Sequence, residues 1–342
     1  MRILVTGGGG FLGTHIITEL LKNSSYIVTN FSRHSYSHLE DIAVPTIKGD
    51  IRKREDVERA LSQGFDAVFH VAALAGVWGR HQEYLDINYF GTKNMLEVAL
   101  EQGIQKFIYT STPSVVFGKD DLLGVNEETP YPSTFLNSYG ETKCMAEKLV
   151  LQMNDGEKFL TCAIRPHLIW GPGDPHLFPR VIQKGKEGKL RIVGDGENLV
   201  DIIYVENAAL AHVQAFEHLK PYSHVCGQAY FVGQERPVKL WDFINQILGH
   251  VKVEPVMKSI DLTSAYRLGW LFEKTFKLAG IVKPEPPMTR FVALNLGKSH
   301  YFSHAKAKRD FGYEPKISIE EGLKKTFQLR DTLRITTGEP GL

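Results

Sequence analysis

Short apolar runs alternate with stretches of helical periodicity through the first 165 residues of the chain. The apolar runs predict six strands, at 2–6, 26–31, 44–48, 67–71, 106–110 and 159–164. Between them, apolar positions at helical spacing predict helices at 11–22, 55–61, 82–101 and 138–153. Strands that alternate with helices are typical of a parallel sheet covered on both faces, so the predicted fold class is α/β and doubly wound.

The alternation stops after residue 165, where four prolines between positions 166 and 179 break the chain into loops. Shorter elements follow, with strands near 190–193 and 202–204 and helices near 205–218 and 240–248. This pattern predicts a smaller mixed region beside the carboxyl edge of the sheet. We therefore expect a first domain at 1–165, a substrate-binding region at 166–335 that is partly interleaved with it, and a tail at 336–342.

A glycine-rich turn connects the first predicted strand to the first predicted helix. The four glycines at 7–10, together with Gly13, fit both G-x-G-x-x-G and G-x-x-G-x-x-G. Glycine lets the backbone approach a pyrophosphate, and the free N–H groups of a helix N-terminus favour its negative charge. The turn predicts a Rossmann-type, dinucleotide-binding first domain, and the alternative is a glycine turn without a ligand. The predicted cofactor contacts here are Gly7, Gly10, Phe11, Leu12 and Gly13.

The end of the second strand bears on the choice of dinucleotide. A site for NAD usually carries an acidic residue there, which accepts both ribose hydroxyls. This strand ends without an acid, and Ser32 and Arg33 stand in its place. A guanidinium suits a 2′-phosphate, so we favour NADP(H), with NAD(H) not excluded and a solvated Arg33 as the alternative. After the third strand, Asp50 is placed to accept from the adenine amino group and Ile51 to pack on the ring.

A tyrosine and a lysine on the fourth predicted helix form a candidate catalytic pair. Tyr139 and Lys143 are four residues apart, so both project from one helix face. An unperturbed tyrosine has a pKa of ~10, and a lysine cation with a cationic nicotinamide nearby would lower that pKa toward working pH. Ser111 and Thr112 follow the fifth strand at the carboxyl edge of the sheet, where a hydroxyl can hold the substrate oxygen. An isolated pair at this spacing is ordinary, and its combination with the glycine turn is what indicates catalysis.

Composition narrows the class of protein. The chain has 342 residues, of which 43% are hydrophobic and 23% charged, and a net charge of +1, which indicates a globular protein without a nucleic-acid-binding surface. Three cysteines without paired spacing fit a reducing, cytoplasmic compartment and no metal site. His176 and His212 have no second ligand at metal spacing. We expect neither a secretory leader nor a membrane-spanning helix.

Aromatic and histidine side chains supply candidates for a substrate pocket, with core packing as the alternative for each aromatic residue. The candidates are Trp78, Phe117, Phe135, His167, Trp170 and Tyr204. The segment 262–279 has the pattern of a basic amphipathic helix, which would cap a hydrophobic substrate, rest on a membrane surface or pack on the body of the protein. The basic run 184–191 is interpreted as a solvated face.

Taken together, these motifs resemble the extended short-chain dehydrogenases/reductases. Over about residues 1–210 the matching stretches, in family order, are T-G-G-G-G-F-L-G at 6–13, G-D-I at 49–51, H-V-A-A at 70–73, Asn88 with G-T at 91–92, T-S-T at 110–112, Y-G-E-T-K at 139–143 and R-P at 165–166. Weaker likeness continues to about residue 330. Residues 165–175 and 199–201 resemble the 3β-hydroxysteroid dehydrogenase group, and within it the sterol-4α-carboxylate 3-dehydrogenases and bacterial 2-alkyl-3-oxoalkanoate reductases.

The resemblance implies an NAD(P)-dependent enzyme that interconverts a secondary alcohol and a ketone on a bulky apolar substrate, such as a sterol or a long-chain 3-oxoacid. Tyr139 would be the general acid–base and Lys143 would bind the nicotinamide ribose. Thr112 falls on the family's hydroxyl position, with Ser111 beside it as the alternative, and Asn88 would orient the helix or a proton-relay water. Further cofactor contacts would come from Ala72, Ala73, Pro166 and Ile169.

The resemblance also implies a homodimer formed through the helices at 82–101 and 138–153. Some nucleotide-sugar dehydratases of the superfamily carry acidic residues directly after the hydroxyl, whereas Pro113 and Ser114 follow it here, so a dehydratase is disfavoured. Two alternatives remain. One is a nucleotide-sugar epimerase with tightly held NAD, and the other is a non-catalytic dinucleotide-sensing protein, which the retained hydroxyl, tyrosine and lysine argue against.

Overall fold

The computed structural model describes residues 1–337, with side chains as far as residue 328. Of the tail predicted at 336–342, residues 338–342 lie outside this described part, and residues 336–337 belong to the final helix. Within the described chain, no helix combines the length and the apolar character that crossing a bilayer requires.

The strands of the described chain are mostly short. In chain order they are β1 (Arg2–Thr6), β2 (Ile27–Ser32), β3 (Thr46–Lys48), β4 (Ala67–His70), β5 (Lys106–Thr110), β6 (Leu122–Val125), β7 (Leu160–Pro166), β8 (Ile169–Trp170), β9 (Ile192–Val193), β10 (Leu199–Val200), β11 (Ile203–Tyr204), β12 (Gln228–Val232), β13 (Val238–Lys239), β14 (Ser259–Ile260) and β15 (His300–Phe302).

The α-helices lie between them and at the end of the described chain. They are α1 (Phe11–Leu20), α2 (Ser37–Glu40), α3 (Arg54–Leu61), α4 (His81–Tyr84), α5 (Gly91–Glu101), α6 (Ser138–Gln152), α7 (Leu177–Lys186), α8 (Val205–His218), α9 (Leu240–His250), α10 (Leu262–Leu278), α11 (Arg290–Gly297), α12 (Ala305–Phe311) and α13 (Ile319–Thr337). A π-helical turn, Leu85–Phe90, joins α4 to α5, and a 3₁₀ turn, Pro113–Val116, follows β5.

The large sheet has seven strands in the order β12-β7-β5-β4-β1-β2-β3, and every neighbouring pair is parallel. This order confirms the predicted Rossmann-type, doubly wound sheet. The six predicted strands correspond to β1–β5 and β7, with bounds that differ by at most two residues. The sequence analysis did not predict β12, because a short apolar run does not reveal that its partner is the distant strand β7.

A smaller mixed sheet, in the order β13-β10-β15-β6, confirms the predicted mixed region. Its β10–β13 pair is antiparallel, whereas β10–β15 and β15–β6 are parallel. Strand β6 enters this sheet from before residue 165, while β12 joins the large sheet from beyond it. The chain therefore crosses between the two sheets, and the domain boundaries at 165 and 335 remain a prediction.

Helices cover both faces of the large sheet because each has one apolar face. On one side, α1 and α8 share a core that includes Ile16 and Phe216. On the other side, α3, α5 and α6 bury Val57, Met95 and Ala146. A separate core in the C-terminal half surrounds Trp170 with aromatic and aliphatic side chains of α7 and α9. This arrangement leaves the carboxyl ends of the parallel strands at one shared edge, where ligands bind in such folds.

Candidate active site

The glycine turn at the end of β1 is built for close backbone approach. Gly7 has a φ of 69°, a conformation that costs glycine little. A Cβ on Gly13 would lie 2.2 Å from the Gly7 carbonyl oxygen, and one on Gly7 would lie 2.9 Å from the Ala72 backbone. A Cβ on Gly10 would meet only that carbonyl oxygen, at 3.3 Å. Phe11 and Leu12 then begin α1, whose first turn has no side-chain cap, so the turn fits a dinucleotide pyrophosphate.

The residues predicted to bind the ribose phosphate and the adenine of the dinucleotide lie at or just after the ends of β2 and β3. The Ser32 hydroxyl donates to the His34 carbonyl at 2.7 Å. Arg33 is exposed and makes no ion pair with any side chain that the structure describes. The Asp50 carboxylate is held by Arg52 at 2.5 Å, and its pKa is lowered mainly by hydrogen bonding with Arg52 and more weakly by the charge of Arg33.

Ile51 and the two alanines after β4 lie near the same carboxyl edge of the large sheet. Ile51 is buried, and a Cβ on Gly91 would lie 2.7 Å from its Cδ1 atom, so its side chain packs toward α5. Ala72 is half-buried beside the glycine turn, and Ala73 is exposed. Their contacts with an adenine or a nicotinamide remain predictions.

The buried side chain of His70, at the end of β4, connects the glycine turn to α5 through hydrogen bonds. The Thr6 hydroxyl lies 2.8 Å from His70 Nδ1 and accepts from the Val71 and Ala72 N–H groups at 3.2 Å each. His70 Nε2 lies 2.9 Å from the Thr92 hydroxyl, which donates to a main-chain carbonyl of the π-helical turn. Burial, with the charge of Lys143, lowers the pKa of His70 to about 3, so the imidazole is neutral and donates from Nε2. This network fixes the end of β1, where the glycine turn begins, against β4.

Asn88 ties the π-helical turn to α6. Its Oδ1 accepts from the Leu74 N–H at 2.7 Å, and its Nδ2 donates to the Leu74 carbonyl at 3.1 Å and to the Thr142 hydroxyl at 3.2 Å. Thr142 sits in the helical turn between Tyr139 and Lys143. Asn88 therefore contacts the helix through Thr142, and its two predicted roles, orienting the helix or a proton-relay water, remain predictions. Turns of π-helix are frequent at functional positions.

Tyr139 and Thr112 meet at the carboxyl edge of the sheet. The Asn137 side chain caps α6 by accepting from the Gly140 N–H at 2.8 Å, which places Tyr139 in the first helical turn. Thr112 follows β5 and begins the 3₁₀ turn. Burial raises the pKa of Tyr139, and hydrogen bonding with the Thr112 hydroxyl opposes this. In the chain alone the pKa of Tyr139 is therefore raised, and the lowering expected from Lys143 together with a cationic nicotinamide remains a prediction.

Lys143 lies one helical turn further along α6 and is 2% exposed. Its Nζ donates to the Thr110 carbonyl at 2.6 Å and stands 4.1 Å from the centre of the Tyr109 ring. Burial lowers the pKa of Lys143 to about 7, and the negative charge of Glu147 opposes this. The ammonium is therefore held at the strand end by a carbonyl and an aromatic face.

Ser111 and Thr112 face different partners, although they are adjacent in the chain. Thr112 stands beside Tyr139, whereas the buried Ser111 hydroxyl lies near Glu147 on the third turn of α6 and has no hydrogen-bond partner among the described residues. The structure therefore brings Thr112, Tyr139 and Lys143 together and directs Ser111 toward Glu147.

The loop after β7 carries two of the predicted cofactor contacts. Pro166 is the last, buried residue of β7, and Ile169 begins β8. Between them Leu168 has a φ of 42°, a left-handed conformation that is uncommon for leucine and typical of functional loops. His167 Nε2 lies 2.7 Å from His300 Nδ1, and both rings are buried beside Phe117.

A small cavity of about 20 Å³, roughly the room that one water molecule needs, lies beside Phe117 and His300. Its apolar lining comes from Phe117, Leu136, Phe291 and Leu294, and His300 and Lys298 stand among its polar lining residues. Two of the predicted substrate contacts, Phe117 and His167, therefore lie at or next to this cavity.

The remaining predicted substrate residues do not line this cavity. Trp170 and Tyr204 are fully buried and pack on each other with ring centres 5.1 Å apart, so their burial supports the core alternative. Trp78 donates from its indole nitrogen to the Ile281 carbonyl at 3.1 Å and packs on Phe276 of α10. Phe135 packs on the same small core as Phe117, and a Cβ on Gly140 would lie 3.4 Å from its ring.

The two histidines predicted to be structural or surface residues, His212 and His176, differ in burial. His212 is buried, accepts from the Thr110 hydroxyl at 2.9 Å and donates to the Ala208 carbonyl at 2.7 Å. Burial lowers the pKa of His212 to about 4. His176 precedes α7 at the surface. Among the described residues, no group of three or more His, Cys, Asp or Glu side chains is arranged to hold a metal ion.

Comparison with known proteins identifies the family. The model of the 3-beta hydroxysteroid dehydrogenase/isomerase family matches residues 4–261. The chain belongs to this family. It is accordingly an enzyme, an oxidoreductase of the extended short-chain dehydrogenase/reductase type, as the sequence analysis predicted.

Named relatives cover almost the whole chain. A 2-alkyl-3-oxoalkanoate reductase of Shewanella oneidensis is 44% identical over 94% of this chain and 84% of its own length. A sterol-4-alpha-carboxylate 3-dehydrogenase, decarboxylating, of Mus musculus is 36% identical over 97% of this chain and 92% of its own length. Both names are those of oxidoreductases.

A solved structure extends the likeness to the fold. A UDP-glucuronic acid 4-epimerase of Bacillus cereus in complex with NAD superposes with a TM-score of 0.74 at 25% identity, covering 97% of this chain and 99% of that one. The oxidoreductase and the epimerase scaffolds therefore share one architecture.

Several residues of the site were missed by the sequence analysis. Glu147 lies one helical turn beyond Lys143, at the same four-residue spacing, so the sequence pattern could have indicated it. Tyr131 donates to its carboxylate at 2.8 Å, and His300 meets His167 from 133 residues away. No local pattern marks either of these partners, because the contacts join distant segments.

Proposed function

We propose that this enzyme is an NADP(H)-linked reductase or dehydrogenase that interconverts a ketone and a secondary alcohol of the 3-keto/3β-hydroxy type on a bulky apolar substrate. The observation that carries the proposal is the convergence of Thr112, Tyr139 and Lys143 at the end of β5, beside the glycine turn. Family membership and the names of the relatives support the same reaction class.

The proposed cofactor would be held along the carboxyl edge of the large sheet. Gly7, Gly10 and Gly13 leave room for the pyrophosphate at the N-terminus of α1. Arg33 would contact the 2′-phosphate, and Lys143 the nicotinamide ribose. When bound, the nicotinamide donates or accepts the hydride.

Proton transfer falls to Tyr139 in this proposal. The phenol would donate its proton to the substrate oxygen during reduction and take it back during oxidation. The Thr112 hydroxyl, beside the phenol, would bind the same oxygen and fix the ketone in line with it. The Lys143 cation would favour the phenolate and counter the burial that raises the pKa of Tyr139.

An apolar substrate is supported by the apolar side chains around the small cavity next to the His167–His300 pair. Phe117, Leu136, Phe291 and Leu294 supply apolar side chains, and His300 with Lys298 adds polar groups. We infer a sterol or a long-chain 3-oxoacid as the substrate class, in keeping with the names of the relatives. A nucleotide-sugar epimerase is the second candidate, favoured only by the likeness to the epimerase structure.

Substitution of the tyrosine tests the reaction. We expect Tyr139→Phe to lower kcat for a long-chain 3-oxoacid with NADPH by roughly 10²- to 10⁴-fold, because general acid–base catalysis contributes about that much. The matched control is Tyr89→Phe on the π-helical turn, which should keep near wild-type turnover. Unchanged turnover in Tyr139→Phe would refute the proposal. Purified protein that carries NAD and epimerises a nucleotide sugar would favour the second candidate.

A further inference from the structure

Three side chains of α6 stand one helical turn apart on the face that packs against the large sheet. They are Tyr139, Lys143 and Glu147. The proposed function uses the first two and leaves the third without a role. Glu147 is 0% exposed, and a buried carboxylate is costly unless it is paired and hydrogen-bonded.

Glu147 is held rigidly as an anion. Arg165 of β7 binds both carboxylate oxygens, with Nη2–Oε1 at 2.6 Å and Nε–Oε2 at 2.9 Å, and the Tyr131 hydroxyl donates to Oε1 at 2.8 Å. The Arg165 guanidinium lies 4.8 Å from the centre of the Phe231 ring and is itself 2% exposed. Burial alone would raise the pKa of Glu147, but the charge and hydrogen bonds of Arg165 outweigh it and bring that pKa below its usual range.

The end of β5 meets the three helix residues with three successive groups. The Thr110 carbonyl accepts from Lys143, the Ser111 hydroxyl faces Glu147, and the Thr112 hydroxyl faces Tyr139. The carboxylate is therefore part of the same contact surface between strand and helix that carries the proposed acid–base and its lysine.

The groups that face Lys143 come from three elements. His70 on β4 is a neutral imidazole, because its pKa is lowered to about 3. Tyr109 on β5 is a neutral phenol, because burial raises its pKa well above 10. On α6 itself, Tyr139 lies one turn before Lys143 and Glu147 one turn after it. Among these groups Glu147 is the one anion, and its charge opposes the burial that favours a neutral Lys143.

We propose that Glu147 is a positioning residue that keeps Lys143 protonated in its buried position, and that Arg165 and Tyr131 hold the carboxylate for this purpose. The inference rests on the proposed function, in which Lys143 acts as a cation toward the ribose and toward Tyr139.

The test is the pH dependence of Glu147→Gln. Removing the anion lowers the pKa of Lys143, so the lysine loses its proton at a lower pH than in the wild type. We expect kcat and NADPH affinity, each divided by the wild-type value at the same pH, to be about fivefold lower at pH 8.5 than at pH 6 if the pKa of Lys143 falls by one unit from about 7. Glu141→Gln, a partly exposed carboxylate on the same helix, is the matched control and should show a constant ratio.

Unpaired Arg165 could destabilise the single variant, so a second variant is needed. Glu147→Gln/Arg165→Met removes both charges at similar volume, a replacement that buried ion pairs often tolerate. Its ratio should depend on pH in the same direction and by a smaller amount, because the Arg165 cation is removed together with the anion. Tyr131→Phe removes one hydrogen bond and no charge, so its ratio should stay constant with pH.

A loss that is equal at every pH, in both Glu147 variants, would show that the pair is purely structural and would overturn the proposal. So would wild-type behaviour of the double variant. The NADPH binding ratio separates this inference from the proposed function, because it reports the charge of Lys143 even if Tyr139→Phe retains turnover.

Discussion

Arg33 is the side chain that bears most directly on the choice of cofactor. It is exposed at the end of β2 and makes no ion pair with the described side chains, while the neighbouring Asp50 is already held by Arg52. A free guanidinium at this position suits a phosphate, because it offers two parallel hydrogen bonds and a fixed charge.

We expect Arg33→Ala to weaken NADPH binding by roughly 10- to 100-fold, since hydrogen bonds to charged groups contribute about 1.5–3 kcal/mol. NADH binding should change by less than about twofold, because its ribose carries no phosphate for the guanidinium to bind. Calorimetric titration of both cofactors measures this. Lys53→Ala, an exposed cation at the start of α3, is the control. Wild-type NADH affinity equal to or above that for NADPH would contradict the predicted preference.

The helix α10 is distinctive at the scale of one element because its outer face is apolar and cationic. Leu268, Trp270, Leu271 and Leu278 are each at least 42% exposed. Its single carboxylate, Glu273, is buried against Arg290 at 2.8 Å, so Arg267, Lys274 and Lys277 are left without an acid on the exposed face. Such a face suits an anionic lipid surface, which keeps the membrane alternative of the sequence analysis as a prediction.

We expect the protein to co-sediment with phosphatidylglycerol-rich vesicles and to bind pure phosphatidylcholine vesicles weakly. Trp270→Ala/Leu271→Ala should reduce the partition roughly tenfold, because less apolar area enters the interface. Met257→Ala, which alters an 81% exposed apolar side chain outside the helix, should have no effect. If the α10 variant and the wild type sediment equally, the helix does not contact lipid, and a protein partner or a second copy becomes the candidate for this face.

At the scale of the whole molecule, the faces predicted to pair in a homodimer carry exposed apolar side chains. Phe90, at the end of the π-helical turn, is 44% exposed, Leu100 on α5 is 48% exposed and Met145 on α6 is 36% exposed. The two segments predicted to pair, 82–101 and 138–153, also carry site residues on the faces turned toward the protein. Pairing through their outer faces would therefore stabilise the elements that position the active site.

We expect the wild-type protein to have a dimeric mass by light scattering after size exclusion. Phe90→Lys/Met145→Lys should shift it to the monomer, because it would place four cations in one dimer interface. Leu123→Lys, which alters a 60% exposed side chain on β6, should leave the mass unchanged. A monomeric wild type would contradict the predicted assembly.

The sequence by itself determined the elements and the motifs that repeat at short range. Strand and helix periods located β1–β5 and β7 within two residues, and spacing alone placed Tyr139 and Lys143 on one helix face. These inferences succeed because they depend on the local geometry of the chain. The glycine turn belongs to the same class, since close approach is encoded in the absence of a Cβ.

Tertiary structure alone decided which side chains meet. It added β12 to the sheet, put Trp170 and Tyr204 in the core and placed the Ser111 hydroxyl near Glu147, without a hydrogen-bond partner among the described residues. Burial also raises the pKa of Tyr139 in the chain by itself, and the lowering that Lys143 and a cationic nicotinamide would cause together stays a prediction. An amphipathic pattern tells which face of an element is buried, but the partner on the other side comes from a distant segment, and that partner sets the charge and the solvation of the site.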